Sequence, residues 1–327
     1  MQLDFYKAFS INVDLAVEAH DLVRGQTGGE IPGVIVDREK YENSSVTTVK
    51  VVEEQAEQLI GKPRGNYITI DAPVLRDNSR TAQQEVAEIL AKKLSSLFNL
   101  PENANILLVG LGNWNATPDS LGPKVIDHSM VTRHLFKYAP EELGEGMRSV
   151  SAIAPGVLGI TGIETAEIIK GIVEKIQPEL MIVVDSLAAG SVDRIATTIQ
   201  IADTGINPGS GIGNKRAAIN QESMGVPVIA IGIPTVVHAA VIAQVTVEQF
   251  LEQLKMNPVL DQIYKNLRPD FTESIINQVL KPFAGNLMVT PKEIDTLILT
   301  TSKIIAGGIS MALHPSIDFD DFNMYLN

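Results

Sequence analysis

Three continuous apolar runs, Ile106-Leu-Leu-Val109, Met181-Ile-Val-Val184 and Val228-Ile-Ala-Ile231, constrain this chain more than any other feature. Each has strand length and no polar residue to turn toward water, the pattern of parallel strands covered on both faces. Between the first two, Ile169, Ile172, Val173 and Ile176 recur at i, i+3, i+4 and i+7, the spacing of an amphipathic helix. Thr161-Gly-Ile-Glu164, just before it, has the form of a capping box. This order predicts an α/β fold: a doubly wound, mostly parallel sheet flanked by helices.

The flanks add to that block. Ser45-Val-Thr-Thr-Val-Lys-Val-Val52 and Asn66-Tyr-Ile-Thr-Ile-Asp71 predict extra N-terminal strands, with Gly61-Lys-Pro-Arg-Gly65 as a turn between them. Residues 80–98 keep Ala87, Leu90, Leu94 and Leu97 on one helical face. Helical spacing returns near 235–256, 270–281 and 291–312, punctuated by Pro258, Pro282 and Pro291. No Ser/Gly/Pro linker or internal repeat divides the 327 residues, so one elaborated domain is expected.

Composition narrows the function. A formal net charge of −13 argues against a nucleic-acid or anionic-membrane surface, which needs a basic face. With no cysteine, disulfides, thiolate metal sites and a cysteine nucleophile are excluded. The first residues carry no apolar signal core, and no uninterrupted apolar run nears the ~18 residues of a membrane helix. A soluble, cytoplasmic protein is expected.

Two aspartates follow two of the buried runs. Asp119 lies in Val109-Gly-Leu-Gly-Asn-Trp-Asn-Ala-Thr-Pro-Asp119, and Asp185 directly ends Met181-Ile-Val-Val184. Carboxyl ends of strands are where open α/β sheets bind ligands, so the two carboxylates are expected to converge on one crevice. Close together they would share a proton, giving one acid and one base able to activate water against a peptide carbonyl. The same carboxylates with an imidazole could instead hold a divalent metal, and His238, after the third run, is the candidate third ligand. Taken singly, either aspartate could simply cap a turn or helix. Gly110-Leu-Gly112 is no dinucleotide fingerprint, because Asn115 replaces the third glycine and Asp119 opposes a pyrophosphate. Gly209-Ser-Gly-Ile-Gly213 is no nucleophile elbow, and Ser186 has no assigned base. The glycine loops, through Gly112, Asn113, Ser210 and Gly211, are candidate walls of a substrate channel.

The chain resembles the germination protease (spore protease) family through nearly its whole length. The resemblance is carried by Asp14-Leu-Ala-Val-Glu-Ala-His20, Ile31-Pro-Gly33, Gly61-Lys-Pro63, the Val109–Pro123 segment around Trp114, Ala154-Pro-Gly-Val-Leu-Gly159, Val184-Asp-Ser-Leu-Ala-Ala189, Thr204-Gly-Ile-Asn-Pro-Gly-Ser-Gly-Ile-Gly-Asn-Lys215 and Gly232-Ile-Pro-Thr-Val-Val237. It implies a fold similar to hydrogenase-maturation proteases. It also implies a homotetrameric endopeptidase that starts the degradation of small acid-soluble spore proteins at germination, in the cytoplasm of the spore core. Two essential aspartates fall on Asp119 and Asp185, with the mechanism left open between an atypical aspartic type, needing no cofactor, and a metal-dependent one. A peptide-binding module that does not cut remains the non-enzymatic alternative. The family is made as a zymogen, and its substrates are cut after an acidic residue followed by a large apolar residue, Ala, and a Glu two further on. Asp14-Leu15-Ala16-Val17-Glu18 reproduces that pattern, so the resemblance implies self-cleavage between Asp14 and Leu15. Residues 1–14 would then be a propeptide and 15–327 the peptidase domain.

Overall fold

The structure is a computed structural model and describes residues 2–77, 79–209, 216–255, 271–283 and 285–326. Its sheet has nine strands: β1 (Val34–Lys40), β2 (Ser45–Val51), β3 (Gly65–Asp71), β4 (Asn105–Gly110), β5 (Ser149–Ile153), β6 (Leu180–Ala189), β7 (Thr198–Ala202), β8 (Val228–His238) and β9 (Met288–Val289). They lie in the order β1-β2-β3-β7-β8-β6-β4-β5, with β9 on the end of β8.

The sheet has two characters. β5, β4, β6 and β8 pair in parallel and form the block that the apolar runs predict. β1, β2, β3 and β7 form an antiparallel extension that joins the block through β8. Parallel pairing is thus confined to the block whose connections pass through helices, whereas β1 and β2 are close enough in sequence to fold back directly.

The apolar runs are continuous because successive residues enter different cores. Ile106, Leu108, Ile182 and Val184 pack on one face under the helices Arg80–Ser95, Leu121–His128 and Ile294–Leu313. Leu107, Val109, Met181 and Val183 point the other way, against Ile169 and Val173 of the helix Thr165–Ile176. Period-two alternation with both faces covered leaves no position for a polar residue.

Ile294–Leu313 has the length and mean hydropathy, 1.5, of a membrane span, yet 67% of that stretch is buried in the first core. Its Gly308 meets Leu90 of Arg80–Ser95, where an added Cβ would lie 2.6 Å from the leucine Cδ2. That close approach keys these two helices together.

Two local expectations are corrected. The capping box at Thr161–Glu164 is absent: Gly162, at φ 72, ends a short helix Leu158–Thr161, and Thr165–Ile176 starts behind an extended Glu164 with no side-chain cap. The Thr161 hydroxyl accepts instead from the Ile163 N–H at 3.2 Å. Asp185 does not end its strand either, because β6 stays paired with β8 as far as Ala189.

The chain begins with two helices, α1 (Gln2–Ala8) and α2 (Ala16–Thr27). Phe5 and Phe9 pack with Ala240, Ile276 and Leu280, and α2 covers β2 and β3 through Ala16, Ala19 and Val23.

Replacing Leu90, fully buried in the helix–helix contact, by Ala should cost about 3 kcal/mol, the usual range for a cavity that cannot collapse. Urea unfolding followed by circular dichroism measures it, with the midpoint shifted and the slope unchanged.

Candidate active site

The site forms where β4 stops and β6 continues. β4 ends at Gly110, opposite Val184, so Asp185 is the first β6 residue with no β4 neighbour. On its other side Asp185 pairs with Gly232 of β8, and Gly232 pairs with Gln200 of β7. Partners across adjacent strands point to one face, so this row sets an acid, a residue without a side chain and an amide side by side.

Asp119 arrives from the loop after β4. Residues 117–119 form one turn of 3-10 helix with Pro118 inside it, and the Asn113 N–H donates to the Asp119 carbonyl oxygen at 2.9 Å. This folding-back needs glycine. Gly112 has φ 116 and a Cβ there would collide with the Asp119 backbone, while a Cβ on Gly122 would meet the backbone of Leu111 and Val184. The glycine-rich turn therefore serves a carboxylate rather than a phosphate.

Both aspartates line a cavity of about 470 Å³, together with Asp14, Lys62, Gln200, Thr204 and Asn207. They also line a second, smaller cavity of about 100 Å³ that runs toward Leu158, Glu164 and Arg216. The two aspartates are thus common to the walls of both spaces.

Electrostatics separates the two acids. Burial pushes the Asp119 carboxyl up to about 6, opposed by the backbone N–H of Asn113. Asp185 is 6% exposed, and burial, then the charge of Asp119, then Asp14 push it well above the ordinary carboxylate range. The Ser186 N–H, 2.8 Å from Oδ1, opposes that rise. Asp119 thus ionises first, and its charge helps keep the proton on Asp185.

The chain's own N-terminal segment reaches the wall of the larger cavity through Asp14. Asp14 Oδ2 accepts from the Ala188 N–H at 2.9 Å, and the Asp14 carbonyl oxygen accepts from Lys62 Nζ at 2.8 Å and Gln200 Nε2 at 3.2 Å. The Ala16 N–H donates to Gln200 Oε1 at 2.6 Å. Leu15 has no exposed surface and packs with Val17, Leu187 and Ile206. Glu18 accepts from the Gly190 N–H at 2.9 Å and lies 3.3 Å from Arg194 Nε. Burial pushes Glu18 up to about 7 against that N–H and the Arg194 charge.

The residues singled out by sequence divide accordingly. Asp119, Asp185, Asp14, Leu15 and Gly112 come together, and Asn113 closes the Asp119 loop. Ser210 and Gly211 lie outside the described residues. His238 is not brought to the pair. It sits six positions beyond Gly232 on β8, roughly 20 Å along an extended strand, and its Nδ1 accepts from the Ala240 N–H at 3.1 Å. Among the described residues no three His, Asp or Glu side chains gather as a metal site. The Ser186 hydroxyl is buried without a protein partner among the described residues, so no base activates it there.

Lys62, Gln200 and Arg194 were not singled out from the sequence. Gln200, an amide between two isoleucines in a buried strand, was the one available signal.

Replacing Gly112 by Ala should displace the Asp119 turn and reduce hydrolysis at least about tenfold, a 1.4 kcal/mol change at the transition state, with a smaller loss of melting temperature. Replacing Asp119 by Asn should raise stability at pH 8. The raised carboxyl favours folding below the unfolded value near 4 and loses that advantage as pH rises through about 6. The gain, on the order of 1 kcal/mol by melting at pH 8, should vanish near pH 4.

The profile of the germination protease family matches residues 14–270 and 257–326. The chain is 48% identical over 321 residues to a germination protease of Caldanaerobacter subterraneus subsp. tengcongensis, covering 97% of this chain and 98% of the relative. It is 47% identical to that of Clostridium tetani, over 97% of this chain and all of the relative. For a Bacillus cereus germination protease the identity is 41%, over 99% and 98%. Among solved structures, a [NiFe] hydrogenase maturation protease, HycI, from Thermococcus kodakarensis KOD1 is similar at 20% identity and a TM-score of 0.30, covering 44% of this chain and 80% of that one.

Proposed function

The chain belongs to the germination protease family and is a peptidase of spore germination, and from that premise we propose that Asp119 and Asp185 are its catalytic pair. The observation that supports this is that Asp14 lines the same cavity as both carboxyls, its own carboxyl held there by the Ala188 N–H. Asp119, the easier to ionise, takes a proton from water as it attacks the carbonyl carbon of the bond to be cut. Asp185, which holds its proton, delivers it to the leaving nitrogen. The reaction then needs no cofactor, and an acid pair of unequal affinity for one proton supplies both roles at once.

The bond proposed for self-cleavage is Asp14–Leu15, with residues 1–14 as propeptide and 15–327 as the peptidase domain. Each residue of the acid–apolar–Ala–x–Glu pattern has its own partner in the docked segment. The acid meets the Ala188 N–H, the leucine an apolar pocket, Ala16 a site with no free space, and Glu18 Gly190 and Arg194. The same contacts would read small acid-soluble spore proteins bearing that pattern. In the uncut chain they are filled from within, which makes the segment a self-inhibitor. α1 holds it in place through Phe5, Phe9 and the Tyr6 hydroxyl, which donates to the Gly190 carbonyl at 2.8 Å. A homotetramer in the cytoplasm of the spore core completes this proposal, with the spore proteins, and not the DNA they coat, as partner.

Purified full-length protein should convert to a form that begins at Leu15, as read by intact mass and N-terminal sequencing. Asp119→Asn and Asp185→Asn should both remain uncut. The rate should fall as pH drops below about 6, where Asp119 becomes protonated and the base is lost. A new N-terminus elsewhere, or processing in either Asn variant, contradicts the assignment.

A further inference from the structure

We infer that Lys62 and Gln200 form the cradle that stabilises the carbonyl oxygen under attack, a function that rests on cleavage between Asp14 and Leu15 as proposed above. Neither residue belongs to the acid pair, and each comes from a different part of the fold. Lys62 follows Gly61, which ends the helix Glu54–Ile60 in a left-handed conformation, while Gln200 lies in the middle of β7.

Their geometry is directed at one atom. The oxygen that accepts from Lys62 Nζ and Gln200 Nε2 is that of the very peptide group to be cleaved. Gln200 is fixed in orientation, because its Oε1 takes the Ala16 N–H and only its Nε2 is left to face Asp14. One side chain therefore grips the backbone on both sides of the Asp14–Leu15 bond and sets the plane of that peptide. Gly232, between Gln200 and Asp185 in the row across the sheet, admits the Leu187 side chain into the place its own would take, and Leu187 packs with Leu15.

The chemistry favours a cation here. A carbonyl oxygen in the ground state carries only a partial charge, for which one neutral donor suffices. During attack a water oxygen bonds to the Asp14 carbonyl carbon, one water proton passes to Asp119, and the π pair moves onto the carbonyl oxygen. A charge-assisted bond from an ammonium strengthens most at that moment, which is the condition for lowering the barrier rather than merely binding. Return of the pair breaks the carbon–nitrogen bond, and the proton of Asp185 goes to the Leu15 nitrogen. The products are a carboxyl group on Asp14 and an amine on Leu15. Burial pushes the Lys62 amine below its ordinary value, and the charges of Asp14 and Glu18 oppose that fall only in part.

The test follows self-processing of the full-length chain by intact mass. Lys62→Met keeps the length of the stem and removes the charge. Gln200→Glu keeps an acceptor for the Ala16 N–H and replaces the donor facing Asp14 by oxygen. Both should slow the appearance of the Leu15 form by about 100-fold or more, with hydrogen exchange of residues 15–18 unchanged, so that the segment is still docked. Added methylammonium should restore at least about tenfold of the rate lost in Lys62→Ala, which a purely structural lysine would not allow. Rates within about threefold of wild type in Lys62→Met and Gln200→Glu would overturn the assignment. Should Lys62→Met melt early, Gln200→Glu and the amine rescue decide, and failure of both effects overturns it equally. Wild-type protein that is never cut at Leu15 would instead sink the cleavage site itself, whatever the variants do.

Discussion

Setting a buried carboxyl, Asp185, within reach of the charge of a second, Asp119, on one cavity is the constraint on which this molecule turns. Among the described residues no cation lowers either acid, and the only opposing contributions are the backbone N–H groups of Asn113 and Ser186. An isolated buried carboxylate is too costly to keep charged, so the protein keeps a proton in the pair. What costs stability is also what the proposed reaction uses: one acid and one base on the wall of the same cavity. The surrounding core makes this possible. Asp185 follows four residues that are themselves without exposed surface, and the glycines at 112 and 122 let the Asp119 loop press against that strand.

A second consequence concerns how a peptidase avoids its own substrate-like sequence. The Asp14–Glu18 stretch is held by backbone N–H groups of β6 and the following turn, by an apolar pocket and by Arg194, contacts that the proposed function would also offer to a substrate. Its arrival is secured by folding: Leu15 is the extended residue that caps α2, and α1 anchors the other side through two phenylalanines. Burying each ring contributes on the order of 2 kcal/mol to that anchoring. Under the proposed cleavage, release of residues 1–14 would require α1 to leave its contacts with Ala240, Ile276 and Leu280.

How much of this could be read in the chain follows from the range of each signal. The apolar runs are local and unambiguous, so the parallel block and its flanking helices were legible, as was the Asp119 turn with its crowded glycines. Asp185 was placed at a strand end because the apolar run stops there, yet β6 runs on because β8 continues beside it, a fact of pairing and not of sequence. His238 misled in the same way, since following a buried run says nothing about how far that strand extends past the sheet's edge. Lys62 and Gln200 are separated by well over a hundred residues and meet only through the antiparallel extension that brings β3 and β7 together. The apparent capping box failed because Gly162 takes a left-handed turn that ends one helix before the next begins.

The carboxyl resonances of aspartate-labelled protein, followed by NMR from pH 4 to pH 9 in the uncut chain, test the central claim most directly. The account requires one aspartate titrating near 6 and a second that still holds its proton above that pH. Replacing Asp119 by Asn should remove the first and lower the second, since the neighbouring charge is gone. Two aspartates ionised together at the ordinary value near 4, indifferent to each other's removal, would contradict it.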